Sequence, residues 1–196
     1  MIVTVSGPHG TGKSTYAAQL AKGLRLRHVS AGLLFRRIAK ERGVTLEEFG
    51  RIALEDPSID RLVDEETMKE ADKGEVVLDG QLAGWVLKER ADLRIYLTAP
   101  DDVRLERIAK RDHLELEAAK RETSLRESVQ SERYKRHYGL KVEERSIYHL
   151  VLDTSLLPME DTARILLTTA LAVKTKIGTP RQGSLKLPTS RAETHP

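Results

Sequence analysis

Gly7-Pro8-His9-Gly10-Thr11-Gly12-Lys13-Ser14 has the residue types and the spacing that hold a nucleoside triphosphate by its phosphates. It satisfies G-x-x-x-x-G-K-[ST] in full, with Gly10 as a further small residue and Thr15 following. Glycines allow the backbone angles that turn consecutive N–H groups towards phosphate oxygens. A helix beginning at the end of the loop adds its partial positive charge at the same point. Lys13 has the reach for the β- and γ-phosphates and is the expected catalytic cation, while the Ser14 hydroxyl suits Mg²⁺. Gly7 through Thr15 are therefore the expected donor-binding residues. His9 reads as a variable loop residue rather than a catalytic base. A chance glycine turn with a solvated lysine is the alternative, and the flanking strand and helix patterns argue against it.

A metal partner belongs at the end of a neighbouring strand. Val76-Val77-Leu78-Asp79 is an apolar run ending in an acid, so Asp79 is expected to hold Mg²⁺ with Ser14, directly or through water. Taken alone, a strand-ending Asp before Gly80 is equally a turn former. His113, His137 and His149 show no metal-ligand spacing.

The elements that must position these groups alternate short apolar runs with helical stretches, as a parallel α/β sheet requires. Strands are expected at Ile2–Ser6, Arg27–Ser30, Glu75–Asp79, Leu93–Leu97 and His149–Asp153, apolar enough for burial on both faces. Helices are expected at Lys13–Gly23, Gly32–Arg42, from Leu46, and at Ile59–Lys73, Asp101–Asp112, Leu114–Arg136 and Asp161–Lys174. Thr45 with Glu48 three residues on makes a capping box before Leu46. Leu114–Arg136 is too polar for a core helix and fits a mobile lid. From about Lys174 the chain turns to Pro, Gly, Ser, Thr and basic residues without periodicity, the signature of a disordered tail over 174–196.

Composition narrows the class further. The absence of cysteine excludes disulfides, zinc-thiolate sites and thiol catalysis. No stretch reaches the roughly 18 apolar residues of a membrane helix, and the first residues form a strand rather than a signal peptide. A cytoplasmic enzyme without membrane partners is expected. The 33 basic residues exceed the acidic ones by only 3 and are interspersed with them, so charge alone gives no case for nucleic acid.

Ser30-Ala31-Gly32-Leu33-Leu34-Phe35-Arg36 resembles the S-x-G-x-x-x-R element with which nucleoside monophosphate kinases grip the acceptor phosphate. Arg36 would offer a planar fork there. Further segments follow in order: Asp79-Gly80-Gln81-Leu82-Ala83-Gly84-Trp85, Arg133-Tyr134 with Tyr138-Gly139, Ser146-Ile147-Tyr148-His149-Leu150 and Leu152-Asp153-Thr154-Ser155. Together with the phosphate loop they make residues 1–173 similar to the archaeal-type cytidylate kinases. That resemblance implies a P-loop NTPase fold with a five-stranded parallel sheet in the order 2-3-1-4-5. It also implies an acceptor-binding region near 36–73, a lid near 112–136, and Mg²⁺-dependent transfer of the ATP γ-phosphate to CMP or dCMP; a monomer is expected.

By the same resemblance Arg107 and Arg111, one helical turn apart, bind donor phosphates, and Arg126 and Arg133 close over the transferring group. A solvated charged helix face is the plain alternative for all four. One position departs: the family commonly has arginine where this chain has Gln81. Losing a charge-assisted pair costs about 1.5–3 kcal/mol of acceptor binding. Either another arginine substitutes, with Gln81 hydrogen-bonding phosphate or base, or the acceptor is not CMP. Rival readings are a kinase of another small acceptor and a nucleotide-dependent regulatory ATPase, which leaves Arg36 unexplained. An RNA-associated protein with a vestigial core is a third, but the tail has no aromatic residue for base stacking.

Overall fold

The computed structural model describes residues 1–141 and 144–178. In chain order the elements are β1 (Ile2–Ser6), α1 (Lys13–Leu24), β2 (Arg27–Ser30), α2 (Ala31–Glu41), α3 (Leu46–Glu55), α4 (Pro57–Asp72), β3 (Val76–Asp79), α5 (Ala83–Val86), β4 (Leu93–Thr98), α6 (Asp101–Asp112), α7 (Leu116–Tyr138), β5 (Leu150–Asp153) and α8 (Met159–Gly178).

The five strands form one sheet in the order β2-β3-β1-β4-β5, every pair parallel. The register carries the functional consequence. Asp79 is paired with Val5 on one side and with Ser30 on the other, so the carboxyl ends of β1, β2 and β3 finish level. Ligands of open α/β sheets bind at that edge, and there β1 gives way to the phosphate loop.

Strand periodicity divides the core into two layers. Val77 joins Val3, Val5, Leu20, Leu97 and Leu166 on the face covered by α1 and α8, while Val76 and Leu78 turn to the other face with Ala71 and Leu87. Burial on both faces holds for β1 and β3 but fails for β2 and β5. Those two are the edge strands, each with a neighbour on one side only.

Helices α2, α3 and α4 enclose a third cluster of their own around Phe49, Ile38 and Ile59. The capping box is present: Thr45 Oγ1 accepts from the Glu48 amide at 3.1 Å, and the Glu48 carboxylate accepts from the Thr45 amide at 2.8 Å. Thr45→Ala is expected to remove about 1 kcal/mol of stability. On a chain of this size that lowers Tm by about 2–4 °C; a thermal melt with an unchanged midpoint would refute the cap's contribution.

Most boundaries shift by one to four residues from the sequence pattern, and two of the shifts have a local physical reason. Helix α4 begins at Pro57 because Asp56 caps it, its carboxylate accepting from the Ser58 amide, with Pro in the first turn. Helix α8 continues to Gly178, four residues past the expected start of the tail, with Lys176 a good helix former and Thr175 Oγ1 donating back to the Leu171 carbonyl at 3.0 Å. The remainder of that expected tail, 179–196, lies outside the described residues.

Helix α7 is not a solvated rod. It packs on α3 and α6 and buries Ala119, Thr123, Arg133 and Tyr134. Most of its charged residues stay exposed, as its polarity implies, while Arg133 is buried against Asp60 of α4. No helix among the described residues is long and apolar enough to cross a membrane.

Candidate active site

A cavity of about 920 Å³ opens at the carboxyl edge of the sheet, bounded by the phosphate loop, α2, α4, the start of α5, α6 and α7. Its phosphate-loop wall is backbone that only glycine permits. Gly7 has φ 140°, and a Cβ there would lie 2.1 Å from the Leu97 carbonyl oxygen; Gly10 has φ 80°, and its Cβ would meet the Arg104 carbonyl at 2.5 Å. Gly10, Gly12, Lys13, Ser14 and Thr15 face the cavity, whereas Gly7, Pro8 and the buried Thr11 stand behind it. Thr11 Oγ1 and Lys13 Nζ both donate to the Pro8 carbonyl, at 2.9 and 2.8 Å, which folds the lysine back along its own loop. Burial lowers the Lys13 ammonium to about 8, against the opposing pull of Asp79.

Asp79 is buried and ties β3 to α1 and β2. One oxygen accepts from Ser14 Oγ at 2.7 Å and Ser30 Oγ at 3.2 Å; the other lies 2.7 Å from His28 Nε2. Ser30 also caps α2, accepting from the Leu33 amide. Two hard oxygens at the Ser14–Asp79 spacing fit neighbouring positions of an octahedral Mg²⁺, whose ligand distance of about 2.1 Å puts adjacent oxygens about 3 Å apart. Among the described residues no three His, Cys, Asp or Glu cluster as a metal cage. A two-ligand site completed by water and phosphate is the habit of Mg²⁺ rather than of a caged metal.

Among the described residues, five arginines supply the cations of the cavity wall beyond the phosphate loop. Arg36, Arg107, Arg111, Arg126 and Arg133 all line the cavity, from α2, α6 and α7. Arg107 donates to Thr154 Oγ1 at 2.9 Å and to its carbonyl at 2.8 Å, tying α6 to the end of β5. Arg111 is paired with Asp112 at 2.6 Å. The Arg126 guanidinium is held below its usual range, first by burial and then by the neighbouring Arg36. Crowding of like charges around an open cavity is the mark of an anion site.

Arg133 sits elsewhere in the wall than Arg126. It is 2% exposed, ion-paired to Asp60 at 3.2 Å, with its guanidinium over the Phe35 ring at 4.9 Å and the Tyr134 ring at 5.1 Å.

Four residues that sequence reasoning passed over or played down join the loop to the helices. His9 is no bystander: its carbonyl accepts from Arg104 at 2.7 Å, its amide donates to Glu127 at 3.3 Å, and its Nε2 lies 2.8 Å from Gln130 Oε1. Buried Arg104 in turn bridges Glu127 and Asp101. Burial, with Arg126 and Lys13 beside it, pushes His9 down to about 3, so the imidazole is neutral. Gln81 Nε2 stands 3.2 Å from the same ring nitrogen, which makes Gln81 part of the loop–α7 link as well as of the cavity wall. Only pairing across 95 residues, as between Arg104 and His9, reveals such a network.

The motif segments also meet. Gly84 donates to Ser6 Oγ at 3.1 Å, and Tyr148 packs so close that a Cβ at position 84 would lie 2.4 Å from its ring. These segments brace the turn after Asp79.

A family model described as cytidylate kinase-like matches residues 2–156. The cytidylate kinase of Staphylothermus marinus is 46% identical over 166 residues, 85% of this chain and 94% of its own. That of Aeropyrum pernix is 47% identical over 163 residues, 83% of this chain and 95% of its own. Among solved structures, a shikimate kinase from Acinetobacter baumannii in complex with shikimate aligns with TM-score 0.57 at 20% identity, over 88% of this chain and 94% of that one. A likeness at that identity is one of fold.

Proposed function

The chain belongs to the cytidylate kinase-like family, and from that premise we propose that it transfers the γ-phosphoryl group of ATP to CMP or dCMP, giving ADP and the pyrimidine diphosphate. The observation that carries this reading is the placement of Arg36 and Arg126 in the same cavity as Lys13, near enough to Arg126 for Arg36 to lower its basicity. One anion site would need the loop alone. A second cationic centre on α2 provides for an acceptor that is itself a phosphate.

The transfer is in-line and needs little covalent help. Loop amides from Gly10 to Thr15 with Lys13 hold the donor phosphates, and Arg107 and Arg111 line the donor side from α6. Arg36 orients the acceptor phosphate, which is already ionised and needs no general base. Ser14 and Asp79 hold Mg²⁺, which when bound neutralises phosphate charge. Arg126 faces the migrating group from α7, and the Arg104–Glu127–His9 contacts bring that helix onto the loop, excluding water. Gln81 carries no charge, and Arg126 supplies near Arg36 the cation that an arginine at position 81 would have brought. We assign the chain to the cytoplasm, where ATP and nucleoside monophosphates meet, and treat it as a monomer.

ADP release measured over a panel of nucleoside monophosphates and shikimate-like hydroxyl acceptors tests the proposal. Turnover with CMP or dCMP at least tenfold above UMP and AMP is expected. Activity confined to a non-nucleotide, or equal turnover with no acceptor, would sink it.

A further inference from the structure

Asp79 is held from a direction that the transfer chemistry leaves unexplained. Its Oδ2 accepts from Ser14 and Ser30, while its Oδ1 lies 2.7 Å from His28 Nε2. Ser14 belongs to the phosphate loop, and Ser30 also caps α2. His28 serves neither. It stands on β2, 51 residues from Asp79 in sequence, and it does not line the cavity.

The register shows how the contact arises. His28 is paired with Val77 and Ser30 with Asp79. Two residues apart on one strand, His28 and Ser30 present their side chains to the same face, so a single edge strand delivers both donors. Backbone pairing already fastens β2 to β3 over four residues, so the imidazole is surplus to the strand's attachment. A carboxylate only accepts, so the ring nitrogen that faces Oδ1 carries the proton. Oδ1 is thereby occupied, and Oδ2, beside Ser14 Oγ, is the oxygen left for a cation. An Asp carboxylate turns easily about its last torsion, and Mg²⁺ tolerates little departure from octahedral geometry. Fixing the plane of this carboxylate therefore bears directly on the metal.

Resting on the reading of Ser14 and Asp79 as the Mg²⁺ site, we propose that His28 is a positioning residue for that metal: its Nε2–H locks the Asp79 carboxylate with one oxygen turned towards Ser14. Outer contacts of this kind set both the orientation and the basicity of a ligand. His28 acts only through Asp79. Its side chain is 25% exposed, so leucine in its place removes the donor without leaving an enclosed void.

The deciding quantity is the dissociation constant of the non-hydrolysable β,γ-imido analogue of ATP, measured by calorimetry with Mg²⁺ and again with EDTA. The ratio of the two isolates what the metal adds. His28→Leu is expected to lower that ratio roughly 10-fold, the lower end of the loss usual for outer partners of metal ligands, with the EDTA constant unchanged. His28→Gln, whose amide nitrogen reaches the place of Nε2, should recover most of it.

An unchanged ratio in His28→Leu beside a lowered one in Asp79→Asn would overturn the role of His28 alone. So would a loss that is equal with Mg²⁺ and with EDTA, or one that glutamine does not repair, since either marks a structural staple. An unchanged ratio in Asp79→Asn would overturn the metal reading with it. Wild-type protein supplies a check that needs no variant. The ring-nitrogen NMR shifts of His28 should move when Mg²⁺ joins the analogue complex, because the cation draws charge from the shared carboxylate. Shifts that ignore the metal would overturn the assignment whether or not the variants fold.

Discussion

Arg126→Ala is expected to lower kcat on the order of 10³-fold, as loss of a transition-state arginine does in other phosphoryl-transfer enzymes. The physical case rests on where the guanidinium stands. Arg126 is half-buried on α7, and its neighbours include Arg36 and Arg111, so it holds its charge against both desolvation and repulsion. Such an arrangement costs stability when the cavity is empty. It repays that only when an anion enters, and most when charge is shared between donor and acceptor. Removing the side chain should therefore leave the melting temperature unchanged or raised while turnover collapses. Arg126→Lys should recover little, since a point ammonium cannot span two phosphate oxygens. Steady-state turnover with CMP and ATP, read beside a thermal melt, checks both halves. A kcat within tenfold of wild type would refute the role.

The second large effect is at Lys13. Lys13→Ala is expected to reduce kcat/KM for ATP on the order of 10²- to 10³-fold, the usual loss when one preorganised charge donor is removed. Its depressed basicity adds a signature. The ammonium loses its proton near pH 8 in the free protein. A neutral amine cannot neutralise phosphate charge, so KM for ATP should rise as pH climbs through about 8. In the complex the phosphates favour the charged form, so kcat should hold to higher pH than kcat/KM. A wild-type rate in Lys13→Ala, or a KM flat from pH 7 to 9, would refute the assignment.

The parts of the site legible in the sequence were those whose chemistry is local. The phosphate loop announces itself by glycines needed for positive φ, and Asp79 by ending an apolar strand. The Thr45–Glu48 capping box was equally plain, because it acts within one helical turn. What stayed hidden was joined through space. His137 and Asp60 are 77 residues apart, and His9 and Gln130 are 121 apart. Arg133 was visible as an arginine on a charged helix. Its burial depends on Phe35 from α2 and Asp60 from α4, and no spacing within α7 encodes either. Likewise the exposure of β5 follows from its place at the sheet edge rather than from its own residues, Leu150-Val151-Leu152-Asp153.

The cluster around Phe49 shares no buried side chain with the two layers against the sheet. Side chains on the cavity surface of α2 and α4 can thus be exchanged while the loop, Asp79 and the strands keep their packing. Evolution and engineering meet the same division of labour. On the proposed reading the donor end is fixed by backbone and glycine, while the acceptor end would be lined by cavity-facing side chains of α2 and α4, with Ala71 of α4 remaining in the sheet layer. On that reading, changing what this enzyme phosphorylates would be a matter of rewriting the cavity-facing residues of α2, α4 and α7, with the energy-supplying end left as it stands.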